Sequence, residues 1–220
     1  MRHAWSTRIQ IIVTYTLLSV ALLAPSAPAL PASDAELLDQ VIAGAHRTPA
    51  FKLRDQYRHP KETLLFFGLR PDMHVVEISP GAGWYLEILA PYLRERGRYY
   101  AADYPDSDAT LPQYRERRRA LIAKMEKEPA LYGRTIVTSL LPPHEVTPAP
   151  GGSADLVLTF RNVHNWTERG HDQKMFDIFF TILKPGGVLG VVEHRAKDSA
   201  SLEEMKRSGY MTEQIGRAHV

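Results

Sequence analysis

A short segment in the first half of the chain, residues 75–86, constrains the fold more than any other part of the sequence. It reads VVEISPGAGWYL, an apolar run typical of a buried strand that meets an acidic residue and then a glycine-rich turn before a helix-like segment. In an open α/β sheet the chain turns at the carboxyl end of the strand, and glycines let that turn approach a ligand closely. The first amides of the next helix then face the ligand. The segment therefore predicts the front end of a nucleotide-type site.

Strand-like and helix-like patterns alternate along the rest of the chain. We predict strands at residues 73–78, 98–102, 134–139, 155–160 and 187–193. Helical patterns lie between them, at residues 84–94, 111–127 and 171–183. Prolines at residues 142–150 indicate a loop. Because such alternation is typical of a parallel sheet with crossover helices, the predicted class is a doubly wound α/β fold with helices on both faces of the sheet.

The residues around the glycine turn decide which ligand it would hold. A dinucleotide-binding turn needs a third small residue where this chain has Leu86, which argues against NAD. An acidic residue is followed by small residues at alternate positions, namely Glu77, Ser79, Gly81 and Gly83. This order resembles the first motif of class I S-adenosylmethionine-dependent methyltransferases, with serine in place of its first glycine. A tight turn with a purely structural role is the alternative.

Three further segments resemble the same family in the expected order. Asp103 ends a predicted strand at the spacing where such folds bind a ribose diol, although it could instead cap the next loop. Residues 154–166, ADLVLTFRNVHNW, resemble the fourth strand and the loop where the family's active sites open. Residues 182–189, ILKPGGVL, match the turn into the fifth strand. The resemblance covers residues 72–193 and is nearest to uncharacterised exported methyltransferases.

The resemblance implies a Rossmann-like domain that binds S-adenosylmethionine and methylates a small-molecule acceptor. It implies that the donor is held by residues of the first two motifs and of the loop after the fourth strand: Glu77, Ser79, Gly81, Gly83, Trp84, Tyr85, Asp103 and Asn162. The acceptor would contact residues after the fourth and fifth strands: Asn165, Trp166, Glu193 and His194. Trp84 and Tyr85 could instead plug the edge of the sheet.

Methyl transfer from a sulfonium is an in-line displacement, for which a protein mainly aligns the two reactants and excludes water. A hydroxyl or protonated amine acceptor also needs a base, and His164 lies in the loop where the acceptor would approach. A histidine that is only hydrogen-bonded to the loop backbone is equally compatible with the sequence. Glu193 and His194 lack a second histidine at helical spacing, so we predict no metal site.

The start of the chain and its composition indicate an exported protein. Residues 9–24 are mostly apolar and lie between arginines and a stretch of small residues and prolines, which predicts a signal peptide and linker over residues 1–32. The apolar run is short for a membrane span, so we predict cleavage, no stable span afterwards, and a bacterial periplasmic location. An uncleaved anchor is the alternative. The absence of cysteine is compatible with that compartment, and a formal net charge of +2 argues against a nucleic-acid partner.

The remainder divides into a helical cover at residues 33–71, a methyltransferase-like domain at residues 72–214 and a tail at residues 215–220. The tail, IGRAHV, can be encoded by a common sequencing-adapter read, so we expect it to be non-native and the natural gene to continue. The domain would then lack the last antiparallel strand pair of the family.

Export raises one objection to a methyltransferase, because the cofactor is made in the cytosol. An alternative from another class is a non-catalytic periplasmic ligand-binding protein on a methyltransferase scaffold, since a fold does not establish chemistry. A nicotinamide-dependent reductase is a more distant alternative.

Overall fold

In the computed structural model, which describes residues 32–214, six strands form one sheet. They are, in chain order, β1 (His74–Ile78), β2 (Arg98–Asp103), β3 (Ile136–Leu141), β4 (Glu145–Thr147), β5 (Ala154–Phe160) and β6 (Leu183–Val192). Their spatial order is β4-β3-β2-β1-β5-β6, and neighbouring strands are parallel except for β3 and β4. The strand order reverses between β1 and β5, and open α/β sheets bind ligands at such a point.

The register brings the carboxyl ends of four strands level. Ile78 of β1 pairs with Ala102 of β2 on one side and with Thr159 of β5 on the other. Thr159 in turn pairs with Val191 of β6. The residues that leave these strands, in particular Asp103, therefore emerge side by side at one edge.

Helices surround the sheet on both faces. The helices are α1 (Ala32–Ala43), α2 (Pro49–Lys52), α3 (Asp55–Arg58), α4 (Pro60–Phe66), α5 (Leu86–Leu93), α6 (Pro112–Lys127), α7 (Pro129–Tyr132), α8 (Val163–Glu168), α9 (Asp172–Ile182) and α10 (Leu202–Ser208). Alternate strand residues point to opposite faces. Val75 therefore packs in a cluster with side chains of α1, α4 and α5, whereas Val76 packs with side chains of α8, α9 and α10.

A buried network of charged side chains joins the segment between α1 and α4 to the helices behind the sheet. Arg47 is fully buried and donates two hydrogen bonds to the Asp55 carboxylate, at 2.5 and 3.0 Å. Glu87 of α5 is equally buried and accepts from the backbone N–H and the hydroxyl of Thr48, at 2.9 and 2.5 Å. It also pairs with Lys124 of α6. Because buried charges need such partners, the network fixes the N-terminal segment against α5 and α6.

The predicted fold class is confirmed, and all five predicted strands are present with shifted ends. The prediction of a loop was wrong in part for two segments. Residues 142–150 contain β4, whose three residues lie between prolines and keep the N–H groups that pair with β3. Residues 162–166 lie mostly in α8, because Val163, Trp166 and Thr167 bury one face of a helix.

Several predictions concern residues that the structure does not describe. The predicted signal peptide lies outside the described residues except for its last residue, and the predicted non-native tail lies wholly outside them. Within residues 32–214, no helix is both long and apolar enough to cross a bilayer. In the same range, β6 is followed by α10 and by an isolated bridge between Arg195 and Met211.

Candidate functional site

The turn after β1 is held open by three residues with positive φ angles. Ser79, Gly81 and Gly83 have φ values of +54°, +65° and +83°. The Ser79 amide donates to the carbonyl of Ala102, 2.8 Å away, which ties the turn to the end of β2. A Cβ atom on Gly83 would lie 2.8 Å from the side chain of Leu121, whereas one on Gly81 would meet nothing closer than 4.0 Å. The turn thus packs against α6 at Gly83 and leaves free space at Gly81.

Glu77 lies at the end of β1 with its carboxyl group buried below this turn. Burial raises its pKa to about 7, and the charge of Asp103 acts in the same direction. The hydroxyl of Tyr99 donates to its Oε2 at 2.5 Å, which favours the ionised form and opposes that rise. Near neutral pH this carboxyl group can therefore change its charge in response to a ligand.

Asp103 ends β2 beside the turn and is also buried. Its Oδ1 accepts the backbone N–H of Tyr104 at 2.9 Å and lies 3.8 Å from the guanidinium of Arg117. Its Oδ2 is buried without a hydrogen-bond partner. Burial raises the pKa of this carboxyl group. An orphaned carboxylate oxygen carries a desolvation cost that a donor from a ligand would remove.

Trp84 and Tyr85 follow the glycine turn and are both buried. The Trp84 indole N–H donates to the carbonyl of Phe51 at 2.9 Å, which connects the turn to the N-terminal segment. The Tyr85 ring stacks on Phe160 at the end of β5, with centroids 3.7 Å apart and planes at 14°. These contacts favour a packing role for Trp84, whereas Tyr85 also lines a pocket.

Asn162 connects the exit of β5 to that of β1. Its side-chain amide donates to the carbonyl of Ile78 at 3.2 Å and to the hydroxyl of Thr159 at 3.1 Å. Trp166, four residues further on, is buried with its ring centroid 5.5 Å from that of Phe179 on α9. These bonds hold the segment after β5 next to the glycine turn.

His164 of α8 and Glu193, which follows β6, form a hydrogen-bonded pair. The His164 Nδ1 and the Glu193 Oε2 are 2.9 Å apart, and the imidazole is a quarter exposed. The same carboxylate accepts the backbone N–H of His194 at 2.9 Å. A carboxylate at Nδ1 orients the ring and leaves Nε2 to exchange a proton. Glu193, which the sequence predicts to contact the methyl acceptor, thus lies where it can position His164.

The positions of the two remaining predicted residues indicate no particular role. Asn165 is half-buried on α8, and His194 is exposed with its ring 5.2 Å from that of Tyr210. Within residues 32–214 no group of histidine, aspartate and glutamate side chains has the arrangement of a metal site.

The structure adds a pocket that the sequence analysis did not assign. It measures about 390 Å³, opens above β5 and β6 beside Tyr85, and includes Arg54, Arg58 and Arg161 in its wall. Arg161 directly precedes Asn162 within the motif at residues 154–166. Its position in that motif was the sequence signal that could have placed it at the site. Arg54 and Arg58 lie in a polar segment without any motif.

Known structures share this fold, although no protein-family model and no curated protein matches the sequence. The fold is similar to a SAM-dependent methyltransferase from Aquifex aeolicus, with a TM-score of 0.52 and 21% identity over 76% of this chain and 79% of that one. A candidate sarcosine dimethylglycine methyltransferase from Galdieria sulphuraria gives 0.54 and 13%, over 76% and 58%. A possible exported protein from Bordetella parapertussis gives 0.52 and 16%, over 84% and 70%. At these identities the likeness shows the class I methyltransferase fold.

Proposed function

We propose that this protein is an S-adenosylmethionine-dependent methyltransferase that acts on a small-molecule acceptor by direct in-line transfer. The observation that carries the proposal is the pairing, at one sheet edge, of the open turn at Gly81 with the orphaned Oδ2 of Asp103. A ribose diol bound over the turn would supply the donor that this oxygen lacks. The methyltransferase fold of the structural neighbours supports the same assignment.

The acidic residues at this edge suit a cationic donor. S-adenosylmethionine, when bound, supplies an electrophilic methyl group on a positively charged sulfonium. Glu77 and Asp103 both lie at strand ends beside the glycine turn, and burial raises the pKa of each, so a negative charge there is poorly solvated. A cation would compensate it, because opposite charges in a poorly solvated site attract strongly.

The acceptor side of the proposed reaction lies over β5 and β6. His164 has a carboxylate partner on Nδ1, so Nε2 can take a proton from an acceptor hydroxyl or ammonium group. Glu193 would hold the ring in position and stabilise the imidazolium that forms. Asn162 would keep this segment at the level of the glycine turn, where donor and acceptor must meet.

Calorimetric titration of the full chain with S-adenosylmethionine and S-adenosylhomocysteine tests the proposal. We expect binding of both, and we expect Asp103→Asn to weaken it about tenfold through loss of a hydrogen bond to a charged acceptor. Asp108→Asn is the matched control, because Asp108 is fully exposed in the loop after β2. Affinities weaker than about 1 mM for both ligands on folded protein would contradict the proposal and favour the non-catalytic alternative.

We also propose that the domain acts outside the cytosol, in a bacterial periplasm. The apolar run at residues 9–24 with its flanking arginines supports export, and the fold is similar to that of a possible exported protein. Cell fractionation with mass spectrometry of the recovered N-terminus tests this. Recovery of the uncleaved chain in the cytosol alone would contradict it.

A further inference from the structure

Three arginines from two distant parts of the chain line the pocket above β5 and β6. Arg54 precedes α3 and Arg58 is its last residue, and Arg161 follows β5 with a left-handed backbone, at a φ of +60°. The pocket volume of about 390 Å³ falls in the range of small-molecule sites. A bulky side chain in left-handed conformation is uncommon, and such residues cluster at functional sites.

These three guanidinium groups lack a direct ion-pair partner. Across residues 32–214, none of them forms an ion pair with a carboxylate. Burial lowers the pKa of Arg58 and the positive charges of Arg161 and Arg54 lower it further, whereas Tyr85 and Glu77 raise it. Since arginine stays protonated in proteins, the three like charges repel one another. An anion among them would relieve that repulsion and accept charge-assisted hydrogen bonds.

The other walls of the pocket are largely aromatic. Tyr57, Tyr85 and Phe160 line it, and the last two are stacked on each other. Glu193 also lines it, but its carboxylate already accepts bonds from the His164 ring and from a backbone amide. The arginines thus give one part of the pocket wall a positive charge, and the aromatic side chains make another part apolar.

We propose that this pocket is the acceptor subsite and that the acceptor is a small organic anion whose carboxylate or phosphate group binds Arg54, Arg58 and Arg161. This inference rests on the proposed methyltransferase function and adds a substrate class to it. The pocket lies over β5 and β6, next to the His164 pair, whereas the orphaned Asp103 oxygen lies at β2. The carboxylate of the donor's own methionine moiety is the competing anion that the test must separate.

Fluorescence or calorimetric titration of the full chain with three matched probes tests the proposal. Phenyl phosphate and benzoate carry the anion on a small apolar body, and benzamide is the uncharged isostere. We expect the two anions to bind at least about tenfold more tightly than benzamide, because a charged hydrogen bond contributes about 1.4 kcal/mol or more. Arg161→Gln and Arg54→Gln should each weaken the anions about tenfold and leave benzamide unchanged.

Arg98→Gln is the control variant, since Arg98 is exposed at the start of β2 on the opposite edge of the sheet. It should bind all three probes like the wild-type chain. Arg54 is also exposed, so its substitution separates a lost contact from a lost fold. Equal affinity for the anions and benzamide, or anion binding that neither arginine variant alters, would overturn the proposal.

A second titration, with S-adenosylhomocysteine at saturation, separates the two sources of the anion. We expect the affinity for phenyl phosphate to stay within about twofold of its value without that ligand, which is below 0.5 kcal/mol. Competition between the two would assign the arginines to the donor's carboxylate and refute an acceptor subsite. Arginine-dependent anion binding by a chain that does not bind S-adenosylhomocysteine would retain the anion site and refute the proposed function instead.

Discussion

The buried Glu77 carboxyl group makes the stability of the fold depend on pH. Folded protein holds this proton up to about pH 7, whereas the usual pKa of 4.5 applies once the chain unfolds. Between these values the folded state binds more protons than the unfolded state, so the free energy of unfolding falls as pH rises. At 1.36 kcal/mol per pKa unit the whole loss is about 3 kcal/mol, of which about 2 kcal/mol falls between about pH 5 and pH 8.

Glu77→Gln should abolish this pH dependence, because an amide keeps an acceptor for the Tyr99 hydroxyl and does not ionise. We expect the stability of the variant relative to the wild-type chain to increase by about 2 kcal/mol between about pH 5 and pH 8. Urea unfolding followed by tryptophan fluorescence measures it at both pH values. A low m-value in either protein would show that unfolding is not two-state, and would require a second probe.

Glu126→Gln is the matched control, because Glu126 is exposed on α6 and forms no ion pair within residues 32–214. Its effect on the free energy of unfolding should be the same at both pH values. If the free energy of unfolding of Glu77→Gln differed from that of the wild-type chain by the same amount at both pH values, the Glu77 carboxyl group would titrate as an exposed glutamate does. The argument from burial would then be refuted.

Two further predictions concern the turn after β1 and its attachment to β5. Gly83→Ala should lower the free energy of unfolding by about 2 kcal/mol, because its Cβ would lie 2.8 Å from Leu121 at a positive φ. Gly81→Ala should cost only the roughly 1 kcal/mol of a left-handed backbone, so equal losses in urea unfolding would contradict the packing argument. Asn162→Ala should cost about 1 kcal/mol by removing the donor to Ile78, and an unchanged urea midpoint would refute that bond.

The sheet edge was predictable because the relevant signals are local. Each parallel strand ends at the same edge, so the positions of Glu77, Asp103 and Glu193 follow once the strands are recognised. The glycines after β1 also indicate a tight turn, because glycine readily adopts positive φ angles. By contrast, α8 is a short helix without a side-chain cap bond, because its N-cap residue Asn162 donates to Ile78 and Thr159 instead. Its apolar face packs on α9.

The roles of the aromatic and arginine side chains could not be read from the sequence. Trp166 ends a motif that suggests ligand contact, yet it packs against Phe179 of a later helix. Arg47 and Arg58 lie in the same polar segment and look alike in sequence. Arg47 is buried against Asp55, while Arg58 reaches a pocket that Arg161, at the end of β5, helps to line. Such differences arise from tertiary contacts between residues far apart in the chain.

The charges along the carboxyl edge are unevenly distributed, and this distribution joins the two proposals. Acidic groups lie at the ends of β1 and β2, and guanidinium groups without ion pairs stand over β5 and β6, where the Glu193 carboxylate is already bonded to His164. On the proposed function the donor is a cation, and on the further inference the acceptor is an anion. Each ligand is then attracted to the part of the edge that carries the opposite charge. The same field would therefore bring the methyl group and its acceptor together in one orientation at the switch point between β1 and β5.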